Sequence, residues 1–219
     1  MTWQRARSDE QKNDRINEIL IATTQLLEQY GYDAVTMQMI ATKAKFTRSN
    51  LYRYFQTKEE IFITLISADY TSYFNAIKEA IKDQTSMTIE AFSELLYHVS
   101  MGHERLLHLQ PMLSISLERN SSEEILTQFK TQINLGILSL CEPIKTVFPF
   151  LHDEDCFEIT FFQGTLISGL YPMTLVNDTL QKVLANPELA HLKMDFRKYF
   201  IQSTIRYLYG LKHERTHSI

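Results

Sequence analysis

Residues 43–58, KAKFTRSNLYRYFQTK, hold the side chains of this chain best suited to chemistry on a polyanion. Five are Lys or Arg (Lys43, Lys45, Arg48, Arg53 and Lys58) and none is Asp or Glu. Between them lie an amide, Asn50, two phenols, Tyr52 and Tyr54, and the hydroxyls of Thr47 and Ser49. Cations and neutral hydrogen-bonding groups without acids suit a groove walled by phosphates. An arginine can take guanine O6 and N7 in a bidentate contact, and an asparagine can pair with adenine N6 and N7. Arg48 and Asn50 are therefore candidates for reading base edges, and Tyr52 for a thymine methyl group or a phosphate. Thr36 and Thr47 are each placed to open a helix, where hydroxyls and free amides suit phosphate oxygens. Lys45, in the turn between those helices, adds a further cation.

The elements that must present these groups are legible on either side of them. Ile16, Ile19, Leu20, Thr23, Leu26, Leu27 and Tyr30 recur at helical spacing. They predict a first helix from about residue 9 or 13 to Tyr30, with Ser8 and Gln11 as a capping pair and Gly31 ending it at positive φ. Thr36 caps a second helix carrying Met37, Met39, Ile40 and Ala44. Lys45 and Phe46 form the turn, and Thr47 caps a third helix predicted over Thr47–Phe55. Leu51 and Phe55 face the small core and set the tilt of that helix. Thr57-Lys58-Glu59-Glu60 is a capping box that opens a long helix to about residue 81. Further helical segments are predicted over about 88–108, 111–119, 122–148, 153–184 and 193–213. No alternating apolar–polar run suggests a strand. The expected fold class is all-α: an N-terminal three-helix helix-turn-helix DNA-binding domain over residues 1–60, and a C-terminal helical bundle over 61–219.

Composition agrees with that reading. The chain has 219 residues, 44% of them apolar, with only six Gly and five Pro, so a substantial helical core is available. The net charge of −4 is uneven: residues 1–60 carry +1 and residues 61–219 carry −5. A protein that meets DNA with one small face needs only that face to be basic. Cys141 and Cys156 form neither a disulfide framework nor a metal cluster, and free thiols suit a reducing cytoplasm. The polar N-terminus lacks the apolar stretch of a signal peptide. The uncharged run Ile159–Asn177 contains Gln163, two glycines and Pro172, which predicts a buried helix rather than a membrane span. A cytoplasmic location and no membrane partner are expected.

With these residues in place, the pattern resembles the tetracycline-repressor (TetR) family of bacterial transcriptional regulators. The resemblance rests on Arg15-Ile16, Ile19-Leu20, Ala22, Leu26-Leu27, Tyr30-Gly31-Tyr32, Val35-Thr36, Ile40-Ala41, Ala44, Leu51-Tyr52, Tyr54-Phe55 and Lys58-Glu59-Glu60. It spans about residues 13–62 in register. Beyond residue 62 the likeness is only in length and helical character, so no ligand can be carried over. The resemblance implies a recognition helix over Thr47–Phe55, with Arg48, Asn50 and Tyr52 at base-contacting positions and Tyr54 and Lys58 at backbone-contacting ones. It also implies a homodimer joined through the last two long helices, a palindromic double-stranded operator and a small-molecule effector. On those helices Gly164, Ser168 and Gly169 permit close approach, and Phe196, Phe200, Ile201, Ile205, Leu208 and Tyr209 supply an apolar face. The family usually has Gly where this chain has Lys45. If the turn needs positive φ there, Lys45 costs about 1 kcal/mol relative to Gly. Ser49 and Phe46 also depart from the usual small residues, and these departures leave the motif's class intact.

The C-terminal half is rich in aromatics and methionines. Tyr70, Phe74, Tyr97, His98, Met101, Met112, Phe129 and Phe162 are candidates for an effector pocket, with Gln110, Asn134 and Gln163 as further polar groups; the bland alternative is core packing. Catalysis is not expected and no cofactor is called for. Glu94/His98, Glu104/His108 and Glu188/His191 have metal-ligand spacing, but no second carboxylate cluster supports them, and Gly-rich phosphate loops and G-x-S-x-G are missing. The rival readings are a helical interaction module that keeps the helix-turn-helix shape and a helical metalloenzyme.

Overall fold

The computed structural model describes residues 2–217, with side chains described over 10–216. Among the described residues every regular element is helical. They are α1 (Thr2–Ala34), α2 (Met37–Lys43), α3 (Arg48–Leu51), α4 (Lys58–Ile81), α5 (Ile89–Met101), α6 (Glu104–Leu109), α7 (Glu123–Val147), α8 (Asp153–Leu170), α9 (Asp178–Leu184) and α10 (Phe196–His217). The chain divides into two compact units: residues 1–67 with 113–129, and residues 68–112 with 130–219. The first unit thus includes residues 61–67 and 113–129, which lie beyond the sequence boundary at residue 60. Both α4 and α7 contribute residues to each unit.

In the first unit, α1 begins earlier than its apolar spacing predicts, at Thr2, and the side chain of Ser8, which opens the predicted capping pair, lies outside those described. Gly31 sits at φ 75 and ψ 166, a conformation that a Cβ disfavours, so the regular helix stops at Tyr30 as predicted. Ile19, Leu26, Val35, Ile40, Ala41, Leu51, Phe55 and Phe62 are buried and form the small core. In the second unit, α10 packs along α5 and α8. Tyr209 and Arg197 bond Glu90 and Glu94 of α5, and Gln163 of α8 donates to Thr204. Asp155, fully buried at the start of α8, takes two hydrogen bonds from Arg215 of α10 at 2.8 and 3.2 Å and one from the His152 amide at 2.7 Å. Burial alone would raise its pKa; the guanidinium and the amide outweigh that and hold the carboxyl below its ordinary value.

Three predicted segments are divided. The 88–108 segment breaks at Gly102 and His103, because the His103 ring turns back to bond the Val99 carbonyl at 2.7 Å while its backbone leaves the helical region. The 153–184 segment breaks at Pro172, which cannot donate to a continuing helix. Between α6 and α7 the chain runs as a 3₁₀ turn (Gln110–Met112), a π turn (Leu113–Leu117) and another 3₁₀ turn (Glu118–Asn120). Pro143, a residue type that kinks or closes a helix, lies within α7, which continues to Val147. No single helix among the described residues is long and apolar enough to cross a membrane.

Candidate nucleic-acid interface

Two threonines set the geometry of the basic face. Thr36 is extended and its Oγ1 accepts the Met39 amide at 3.3 Å, starting α2. Thr47 does the same for the Asn50 amide at 3.2 Å, starting α3. Each cap satisfies one of the amide donors a helix start leaves unpaired. Between them Lys45 takes φ 59, so the expected positive-φ turn is present and is occupied by a residue with a Cβ. The strain of about 1 kcal/mol relative to glycine remains in the folded chain, while the lysine side chain stays exposed beside α3.

The third helix is shorter than predicted. Arg48–Leu51 is α-helical, Tyr52 is its C-cap, and the Arg53 amide bonds Asn50 in a tighter turn before Phe55. The predicted nine-residue helix is therefore one α turn followed by tighter ones. Its inner side is fixed by Leu51 and Phe55, both buried. Its outer side carries the exposed Arg48, Ser49 and Arg53 and the half-buried Asn50, Tyr52 and Tyr54. Arg48 and Tyr52 face each other across one turn: the guanidinium is 3.2 Å from the Tyr52 hydroxyl and lies over its ring at 5.5 Å. Tyr54 packs edge-on to Phe46 at 6.0 Å, and Arg15 lies over the Phe46 ring at 5.6 Å.

Lys58 is used differently from the rest. Its Nζ donates to the Tyr32 carbonyl at 3.1 Å and sits over the Tyr32 ring at 4.4 Å, so the cation is already engaged inside the unit. Sequence reasoning gave Lys12 no role and placed Arg15 only within the resembling pattern; both line an open groove with Arg53 and Tyr54, beside the acids Asp14 and Glu18, and Glu18 pairs with Arg15 at 2.7 Å. Lys12 lies one turn before Ile16 and Arg15 directly precedes it, and nothing local shows that either lies beside Arg53, because the packing angle of α1 on α3 is a tertiary property.

The candidate effector residues do not converge. Tyr70 and Phe74 stack at 5.6 Å on α4, and the Tyr70 hydroxyl donates to Gln110. Met112 is half-buried in the turn that follows Gln110. Tyr97 packs instead against Phe196 and Phe200, beside an exposed His98, and Met101 is exposed. Phe162 stacks on Tyr207 at 4.2 Å, and Phe129 is buried in the first unit. Of the further polar groups, Gln163 is buried with its Oε1 unpartnered, and Asn134 is exposed. The His98–Glu94 and His108–Glu104 pairs are 3.8 and 3.7 Å apart, and no group of three or more possible metal ligands gathers among the described residues. The apolar residues expected to face a second subunit divide: Tyr209 is exposed and Ile205 half-buried. Phe196, Phe200, Ile201 and Leu208 are buried within their own chain, whereas Phe161 of α8 is 71% exposed.

Known proteins match along most of the chain. Residues 19–65 fit the family described as bacterial regulatory proteins, tetR family, and residues 67–215 fit the tetracyclin repressor-like C-terminal domain. The HTH-type transcriptional activator FasR of Mycolicibacterium smegmatis is 24% identical over 98 residues, 42% of this chain and 45% of that protein, so less than half of FasR's length is spanned. The fatty acid metabolism regulator protein of Bacillus subtilis is 28% identical over 138 residues, 62% of this chain and 69% of that one. The solved structure of the fatty acid degradation regulator FadR from Bacillus halodurans superposes with a TM-score of 0.51 at 16% identity, covering 84% of this chain and 97% of that chain, a likeness of fold.

Proposed function

Because this chain belongs to the tetracycline-repressor family of DNA-binding bacterial transcription regulators, we propose that it acts as a homodimeric repressor, released from a palindromic operator by a small, mainly apolar molecule. The exposed outer side of α3 carries this reading: Arg48, Ser49, Asn50, Tyr52 and Arg53 stand together without an acid, held by the Thr47 cap and the buried Leu51 and Phe55. Arg48 and Asn50 read base edges. Tyr52 contacts a thymine methyl group or a phosphate, and Thr36, Lys45, Thr47, Ser49, Arg53 and Tyr54 position the helix on the backbone. Lys58 reaches phosphate only by leaving Tyr32.

Two copies of α3 then enter successive major grooves about 34–36 Å apart, which requires a two-fold dimer. The outward-facing residues of α8 and α10, among them Phe161 and Tyr209, form its contact. The effector binds in the second unit at the Tyr70–Phe74 pair, where the Gln110 side chain supplies a polar partner. The relative named for fatty acid metabolism favours an effector with an acyl chain. Differential affinity of that molecule for two arrangements of the chain, worth about 1–3 kcal/mol, accounts for a 5–150-fold release.

Phosphate contacts displace counterions, so the affinity for DNA from the gene's own upstream region is expected to fall steeply with salt. For six or more contacts the loss between 50 and 200 mM salt is roughly 10³-fold. Fluorescence anisotropy across that range checks it, and a flat response excludes a phosphate-lined interface.

A further inference from the structure

The irregular stretch between α6 and α7 is tied to the recognition unit by three side chains that a simple connection does not need. A π turn is uncommon, and in isolation it recurs at functional positions. Here Leu113–Leu117 forms one, flanked on both sides by 3₁₀ turns, so the hydrogen-bond register changes twice within eleven residues. The Tyr32 hydroxyl is 2.7 Å from the Ser116 hydroxyl and donates to Glu59 at 3.1 Å. A phenol has one proton to give, so Ser116 is the donor to Tyr32. Thr57 Oγ1 donates to the Asn120 carbonyl at 2.8 Å while accepting the Glu60 amide at 3.2 Å. Glu60 is 3% exposed. One of its oxygens accepts the Gln56 amide at 2.6 Å, one residue before the Thr57 cap of α4, and the other accepts the Ser122 amide at 3.1 Å, at the start of α7.

An ordinary capping glutamate explains the first of those bonds and not the second, which reaches 62 residues along the chain. Two helix starts, each with unpaired amides and a positive dipole end, share one buried carboxylate. The tied residues also have a telling order. Tyr32 lies just before α2, and Gln56, Thr57 and Glu60 lie just after α3. The 116–122 stretch therefore holds the helix-turn-helix at both of its chain ends. We propose that Glu60, with Tyr32 and Thr57, clasps the 113–122 stretch to the recognition helices, so that DNA engagement and the order of that stretch rise and fall together. A return of the π turn to α register moves the residues after it by one position, about 100° of rotation, and takes Ser116 and Asn120 away from their partners. The clasp is thus a positioning device with two arrangements.

The inference rests on the DNA-binding reading, and the test separates the two. Hydrogen exchange is measured on the full chain with and without a duplex from its own upstream region. The clasp predicts that DNA slows exchange in residues 37–55 and also in 113–122, a stretch to which no DNA contact is assigned, because coupling between sites is reciprocal. In the Tyr32→Phe, Ser116→Ala double variant, which removes two hydroxyls and leaves the Tyr32 ring on Phe62, slowing persists in 37–55 and is lost in 113–122. DNA affinity falls at least roughly fivefold, the lower end of ordinary coupling. Glu60→Gln, which turns one acceptor into a donor facing an amide, gives the same pattern. Slowing confined to 37–55 in the unaltered chain, or slowing of 113–122 that survives the double variant, overturns the clasp. No slowing in either stretch overturns the DNA-binding reading and the clasp with it.

Discussion

Tyr52→Ala is expected to reduce binding at the preferred operator to the level of unrelated DNA while the subunits remain paired. The substitution removes the contact made by Tyr52 itself, and it also removes the ring and hydroxyl against which Arg48 is held at 5.5 and 3.2 Å. An unsupported arginine loses the preorganisation that makes bidentate recognition of guanine worthwhile. Each such contact discriminates by about 1–3 kcal/mol, and a symmetric dimer loses it twice, roughly 2–6 kcal/mol in all. That range covers much of the interval between specific and non-specific binding. Tyr52 is half-buried at the end of α3 rather than in the core, so the fold tolerates the change. Competition binding with operator and scrambled duplexes, alongside sedimentation for the dimer, checks both halves. Unchanged discrimination assigns the reading of bases to other side chains.

The largest stability effect is expected at Gly136. Glycine inside a helix ordinarily costs about 0.5–1 kcal/mol relative to alanine, so its replacement normally stabilises. Here the sign is reversed. A Cβ on Gly136 of α7 lands 2.1 Å from a ring carbon of Phe74, which is itself buried and stacked on Tyr70. Phe74 is only 2% exposed and must shift to admit the new atom, and overpacking of this kind costs typically about 1–3 kcal/mol. Gly136→Ala is therefore expected to lower the melting temperature by roughly 2–12 °C at 2–4 °C per kcal/mol for a chain of this size. Gly136→Val falls further. Adding Phe74→Leu recovers part of the loss, since the two sites share one space. Gly210 is the contrasting position: a Cβ there would meet nothing within 4 Å in this chain, and Gly210→Ala leaves stability equal or higher. Calorimetry on the four variants decides it. A neutral Gly136→Ala means that the α4–α7 contact opens more readily than its geometry implies.

What was legible in the chain follows from the range of the forces involved. Thr36, Thr47 and Thr57 announced helix starts because a cap is a contact over three residues, and all three accept the amides expected of them. Gly31 announced positive φ for a similarly local reason, whereas nothing in the lysine at position 45 marks its φ of 59 and only the resemblance raised it as a condition. The length of α3 was not legible. Apolar spacing runs on through Leu51 and Phe55, and nothing in it marks the tightening at Tyr52. The apolar face of α10 was visible as a face, but its partner was not: periodicity shows that Phe196, Phe200 and Leu208 are hidden, and only tertiary packing shows that they are hidden within their own chain. By sequence Phe129 groups with the effector candidates, since it lies in a C-terminal helical segment, whereas the first seven residues of α7 belong to the first unit. By sequence Glu60 is a cap alone, since the Ser122 amide it also holds is 62 residues away.

Hydroxyl-radical footprinting of the chain on its own upstream DNA tests the central claim most directly. Paired recognition helices predict two protected patches on one face of the duplex, centred about 34–36 Å apart, and both vanish together with Tyr52→Ala. A single patch, patches on opposite faces, or protection that survives that substitution contradicts it.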